Sequence, residues 1–162
     1  MNQETAFVEM IKENETLIFK ITAIYGNNPE DKQDLYQEIV LQLWRSFKKF
    51  KGEAKASTWI YRVALNTAIS RLRKEKKSTD TVPYDTYVHS FTDTQDTILE
   101  ERSKELHHQI SRLNDIEKAV ILLYLENKSY SEIAEITGIT ASNVSTKMGR
   151  IKEKLKKKIT KH

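Results

Sequence analysis

The sequence predicts an all-α protein: two small helical domains joined by a flexible acidic linker, the second containing a helix-turn-helix. Three observations predict it. Only four glycines and two prolines are spread over 162 residues, so long stretches carry no helix breaker. Apolar residues recur at spacings of three and four rather than two, the period of an amphipathic helix. Asn114 followed by Glu117, and Ser129 followed by Glu132, have the spacing of capping boxes, in which side chains satisfy orphan backbone N–H groups at a helix start. The expected domains are 1–77 and 98–162, with the linker at 78–97.

The opening MNQETAFVEMIKENETLIFK interleaves charge with apolar residues and lacks the basic start and unbroken apolar core of a signal peptide. A cytoplasmic location is expected, and no membrane insertion. The longest wholly apolar run, AVILLYL at 119–125, falls far short of the roughly 20 residues of a membrane span and reads as a core helix. Asn28-Pro29 supplies a cap followed by proline at the first helical position. DLYQEIVLQLWRSFKKF follows, with Leu35, Ile39, Leu43, Phe47 and Phe50 on one stripe. Asp34, Gln37, Glu38 and Gln42 occupy other positions on this helix, with Trp44 near its C-terminal end.

Next comes FKGEAKASTWIYRVALNTAISRLRKEKK, where Gly52 permits a tight loop, Ser57 or Thr58 is placed to cap, and a helix runs into a cluster of bases. Trp59, Tyr61, Arg62, Asn66 and Arg71 put stacking, hydrogen-bonding and phosphate-binding groups close together, the combination used for single-strand capture. An aromatic taken singly is more often core than platform, so Trp59 is open to either role.

Charge is unevenly distributed. From Arg45 to Lys77 there are eleven bases against Glu53 and Glu75. From Ser78 to Glu101 there is no Lys or Arg, yet Asp80, Asp85, Asp93, Asp96, Glu100 and Glu101 are present. From Lys147 onward eight bases face Glu153 alone. Two basic blocks around an acidic spacer suggest two surfaces for a polyanion, although a basic helix end is often just a solvated face. The spacer STDTVPYDTYVHSFTDTQD loses helical periodicity and holds Pro83, which fits an interdomain linker better than a loop inside a compact domain. Extended at roughly 3.3 Å per residue it reaches about 65 Å, or about 19 base-pair rises.

The C-terminal half carries the helix-turn-helix. Ala134, Gly138 and Val144 stand where the motif needs a small residue, a turn residue tolerant of positive φ, and an apolar anchor under the second helix. Val144, Met148, Ile151 and Leu155 form a stripe. That leaves Ser142, Asn143, Ser145, Thr146, Lys147 and Arg150 at or beside the opposite side, facing a major groove.

In series, DLYQEIVLQLW, FKGEAKASTWIYRVALN, an acidic linker and LNDIEKAVILLYLENKSYSEIAEITGITASNVSTKMGRIKEKL resemble the extracytoplasmic-function group of bacterial sigma factors. The likeness spans about residues 5–158. It implies an alternative sigma factor that binds core RNA polymerase through the β′ clamp helices and β flap. Asp34, Gln37, Glu38, Leu41 and Trp44 would meet the clamp helices. Lys55, Ala56, Ser57, Trp59, Arg62, Asn66 and Arg71 would serve the promoter minus-ten element, captured as unstacked bases of the non-template strand. Ser142, Asn143, Ser145, Thr146, Lys147 and Arg150 would read the minus-thirty-five element of the promoter DNA. The resemblance also implies an inhibitory anti-sigma factor, and a linker that threads polymerase toward its active-site and RNA-exit channels.

The chain departs from the family pattern at several positions. Asn114 stands where the family has proline, and still caps. Ala56 stands where an aromatic is common, implying a shallower or differently built base pocket. Ser145 replaces a frequent Lys or Arg, and Lys147 a frequent Arg. Lysine lacks the bidentate fork that Arg offers guanine, so an A/T-tolerant or partly shape-read element is expected.

Other classes fit less well. An autonomous helix-turn-helix regulator would normally bind as a dimer to paired half-sites, and nothing advertises a dimer seam. Zero cysteines exclude thiolate metal sites and disulfides. His89, His107, His108 and His162 show no metal-ligand spacing, and no Gly-rich phosphate loop or nucleophile signature appears. Neither enzymatic activity nor a cofactor is expected.

Overall fold

A computed structural model describes residues 2–50, 52, 55–78 and 97–159. The chain divides into two compact units, Met1–Tyr87 and Val88–His162. Among the described residues all regular structure is helical. The expected linker lies outside the described residues except at its ends, where Ser78 closes one helix and Thr97 opens the next.

The first unit contains α1 (Gln3–Glu13), α2 (Glu15–Tyr25), α3 (Pro29–Ser46), a 3₁₀ turn (Phe47–Lys49) and α4 (Ala56–Ser78). Asn2 caps α1 by accepting the Thr5 N–H at 2.7 Å. Asn14 separates α1 from α2: its side-chain amide donates to the Met10 carbonyl at 2.9 Å, competing with continued helix. Helices α2, α3 and α4 pack on one another. Ile18, Ile21 and Ile24 of α2 meet Leu35, Ile39 and Leu43 of α3, and Ile60, Ala64, Leu65 and Ala68 of α4, in the buried core.

The Asn28-Pro29 start is as expected: the Asn28 side chain accepts the Asp31 N–H at 2.8 Å, with Pro29 at the first helical position. Two expectations need correction. The α-helix ends at Ser46 and the backbone tightens into the 3₁₀ turn, so of the expected stripe only Leu35, Ile39 and Leu43 belong to α3, with Phe47 and Phe50 beyond it. Nor do Ser57 or Thr58 cap α4. The Trp59 N–H already bonds the Lys55 carbonyl at 3.1 Å, so Lys55 holds the capping position and both hydroxyl residues lie inside the first turn. Gly52 takes a positive φ of 75°.

The second unit contains α5 (Thr97–Ser111), α6 (Asp115–Leu125), α7 (Tyr130–Thr137) and α8 (Ala141–Ile159). Both capping boxes form, Asn114 with Glu117 and Ser129 with Glu132. Gly138 ends α7 at φ 84°, a conformation that costs residues with a Cβ. Val120, Leu123, Ile133, Val144, Met148 and Ile151 form the core, while Leu155 is half-buried. The AVILLYL run is core only as far as Leu123, since helical rotation turns Tyr124 and Leu125 to solvent at 38% and 50% exposure. Among the described residues no helix is long and apolar enough to cross a membrane.

Candidate functional site

On α3, Asp34, Gln37 and Leu41 lie at successive spacings of three and four, with Glu38 and Trp44 beside them. Asp34 and Gln37 are exposed and Glu38 half-buried. Leu41 and Trp44 are large apolar residues left 44% and 41% exposed. Both line a shallow groove of about 370 Å³ together with Phe7, Tyr36, Gln37 and Val40. Phe7 props Trp44 edge-on, ring centroids 5.0 Å apart, and meets Phe47 at 5.2 Å. Burial pushes the Tyr36 phenol up, and the Glu15 carboxylate adds to this, so Tyr36 offers the groove a neutral hydroxyl. The groove thus mixes carbon, an amide and a phenol beside two carboxylates. Such a surface fits a helix that carries arginines with apolar neighbours.

Phe7, Tyr36 and Val40 escaped the sequence reading. Val40 and Leu41 are adjacent apolar residues of which only one can follow the Leu35–Ile39–Leu43 stripe, and that surplus was the available signal.

On α4, Trp59, Arg62 and Asn66 share one face, with Lys55 just before the helix. Asn66 and Lys55 are exposed; Ala56, Ser57, Trp59 and Arg62 are half-buried. One face of the Trp59 indole stacks on Phe50, centroids 4.7 Å apart at 21°, and Phe47 lies 6.3 Å away. Trp59 therefore packs across the two ends of the loop between the 3₁₀ turn and α4. Arg71 is not brought to this face. At about 100° per residue it lies roughly 140° around the helix from Asn66, whereas exposed Arg73 falls back in line with Trp59, Arg62 and Asn66. The Arg71 guanidinium instead donates to Asp31 at 2.8 Å.

On α8, the Asn143 N–H donates to the Thr140 hydroxyl at 3.0 Å, fixing the helix start. Ser142, Asn143, Ser145, Thr146 and Arg150 are exposed and Lys147 half-buried, all over the buried Val144, Met148 and Ile151. The Thr146 hydroxyl donates to the Ser142 carbonyl at 3.1 Å, leaving its oxygen free to accept. Below them the Glu117 carboxylate, 4% exposed, receives the Lys154 ammonium at 2.9 and 3.0 Å and the Asn114 N–H at 3.2 Å. Burial by itself pushes the Glu117 carboxyl up. The Lys154 hydrogen bond, the Asn114 N–H and the charges of Lys154 and Lys147 outweigh burial and hold it below the usual glutamate range. Lys154, counted in the basic tail, stays about half in solvent, while its ammonium ties α8 to α6.

Known proteins share this arrangement. Residues 10–78 match Sigma-70 region 2, and residues 103–155 match Sigma-70, region 4. An ECF RNA polymerase sigma-E factor of Haemophilus influenzae is 30% identical over 141 residues, covering 80% of this chain and 75% of that protein. The ECF RNA polymerase sigma factor SigW of Bacillus subtilis is 27% identical, covering 96% of this chain and 90% of SigW. Among solved structures, the sigma factor RpoE of Bartonella quintana, in complex with the anti-sigma factor NepR, shares the fold with a TM-score of 0.76 at 16% identity, covering 96% of this chain and 97% of RpoE. CnrH, in complex with the cytosolic domain of CnrY, does so at 0.70 and 16%, covering 98% and 90%. With both conserved regions present in order, the chain belongs to the extracytoplasmic-function group of the sigma-70 family: a non-enzymatic factor that directs transcription initiation through RNA polymerase.

Proposed function

We propose that the three surfaces divide the work of initiation. The α3 face and its groove dock the β′ clamp helices of core polymerase, through Asp34, Gln37, Glu38, Leu41 and Trp44 with Phe7 behind them. The β flap meets the second unit. Lys55, Ala56, Ser57, Arg62 and Asn66 receive unstacked minus-ten bases, with Arg73 on the same face for phosphate and Trp59 bracing the loop. Ser142, Asn143, Ser145, Thr146, Lys147 and Arg150 enter the minus-thirty-five major groove. Their short side chains and single bidentate-capable arginine suit an A/T-tolerant, partly shape-read element.

The observation that carries this reading is the groove on α3. A DNA reader acting alone has no use for Leu41 and Trp44 held in solvent beside carboxylates that repel phosphate. An anti-sigma factor as inhibitor is part of the proposal, supported by the two solved neighbours having been captured with CnrY and NepR. Action in the cytoplasm follows from the polymerase partner.

Binding of the full chain to core polymerase, followed by fluorescence anisotropy, tests the groove. Trp44→Ala is expected to weaken binding by about 2 kcal/mol, the scale of an interface hot spot, while duplex promoter binding by the chain alone stays unchanged. Unchanged core affinity would remove the α3 face from the interface.

A further inference from the structure

The basic block at the end of α4 contains one arginine that is not offered to solvent. Arg71 Nη2 donates to Asp31 Oδ1 at 2.8 Å, Nε faces Glu75 at 3.5 Å, and Nη1 is enclosed, without an acceptor among the described residues. Its side chain is 20% exposed and that of Asp31 17%. Asp31 is itself engaged at the start of α3. Its Oδ2 accepts the Asn27 N–H at 2.9 Å, and its own N–H donates to Asn28 at 2.8 Å. The guanidinium therefore grips the capping structure of α3, not a loose surface carboxylate.

The position of this grip matters. Asp31 opens α3 and Arg71 lies late in α4, while Phe47, in the 3₁₀ turn just past the far end of α3, lies 6.3 Å from Trp59 near the start of α4. The helices thus run antiparallel and are fastened twice, by an ion pair at one end and by aromatic rings at the other. Two fasteners some 18 Å apart along α4, at about 1.5 Å per residue, bracket the shared core and hold the crossing angle at both ends. α3 carries the polymerase-facing groove and α4 carries the strand-facing Arg62 and Asn66.

We propose that Arg71 is a positioning residue for promoter opening. Tied to Asp31, it sets the angle between α3 and α4, and so places the strand-capture face relative to bound polymerase without touching DNA. The proposal rests on the function assigned above, and it removes Arg71 from the minus-ten contacts the sequence suggested.

A double-mutant cycle in reconstituted holoenzyme tests it, with Asp31→Asn, Arg71→Gln and the pair together, at a temperature where circular dichroism shows every variant folded. Each single variant is expected to open the promoter about tenfold less, the scale of a small misplacement of reacting parts, as read by permanganate reactivity of minus-ten thymines. The double variant should be no worse than the weaker single one. Core affinity and the salt dependence of promoter binding should not change.

Arg71→Gln lowering the salt slope by about one phosphate's worth, with Asp31→Asn neutral, would make Arg71 a DNA contact and overturn the proposal. A parallel fall in core affinity would overturn it too, by making the pair mere scaffolding. Should the parent chain open no promoter, the functional reading fails separately. The pair is then judged by hydrogen exchange at the start of α3, which must rise equally in Asp31→Asn and Arg71→Gln or the strut is refuted.

Discussion

Single charged side chains decide much of this molecule's behaviour. Glu117 is nearly buried yet ionised, because Lys154, Lys147 and the Asn114 N–H compensate its lost hydration. Its carboxyl is held below the usual glutamate value that it has in an unfolded chain. The resulting stabilisation is complete above that unfolded value, and is lost as pH falls through the lower folded one. Acid unfolding of the second unit, followed by circular dichroism below pH ~5, should therefore become shallower in Glu117→Gln. Lys154→Met should cost about 1 to 2 kcal/mol in chemical denaturation, less than a fully buried pair, because Lys154 is half in solvent.

At the proposed interfaces, Glu38→Lys should weaken core binding with duplex affinity spared. Lys147→Ala should lower promoter affinity and flatten its salt slope by about 0.9, one phosphate's worth, in a titration between low and moderate salt. Side-chain roles were the least legible part of the sequence. Helical rotation alone turns Arg71 away from the face of Asn66, but nothing in the order of residues says that it meets a carboxylate forty positions earlier, or that Trp59 lies on Phe50.

Individual helices were far more legible, wherever a local rule governs them. Asn28-Pro29, the two capping boxes and Gly138 act through neighbours three or four residues away, so their signals sit in the sequence itself. Gly138→Ala should destabilise the second unit by about 1 kcal/mol, since alanine resists the φ of 84° required there, and Ser129→Ala should cost about as much through its lost cap. Thermal melts of the two variants check both values. Where several rules compete, the local signal misleads. Ser57 and Thr58 are good caps, but Lys55 takes the position because the burial of Ile60, Tyr61 and Ala64 sets the helix phase and its start. The break at Asn14 has no proline or glycine to announce it and depends on its side-chain bond to Met10.

Among the described residues each unit has its own core, one around Ile21, Ile39 and Ile60, the other around Leu123, Val144 and Met148. Calorimetry of the full chain should show Leu43→Ala and Met148→Ala moving different transitions, each by about 2 to 5 kcal/mol of unit stability. The order of the surfaces along the chain was legible because each motif is local. The groove on α3 was legible only in part, since Phe7 comes from a helix that no motif marks.

If both units act together to deliver polymerase to a promoter and open it, run-off transcription from a genomic promoter library will show it, with core polymerase alone and with core plus the full chain. Transcripts from a discrete set of promoters should arise only when the chain is added, with permanganate-reactive thymines at their minus-ten elements. Binding to duplex operators with no transcript and no opened DNA, at core concentrations that saturate the chain, would contradict it.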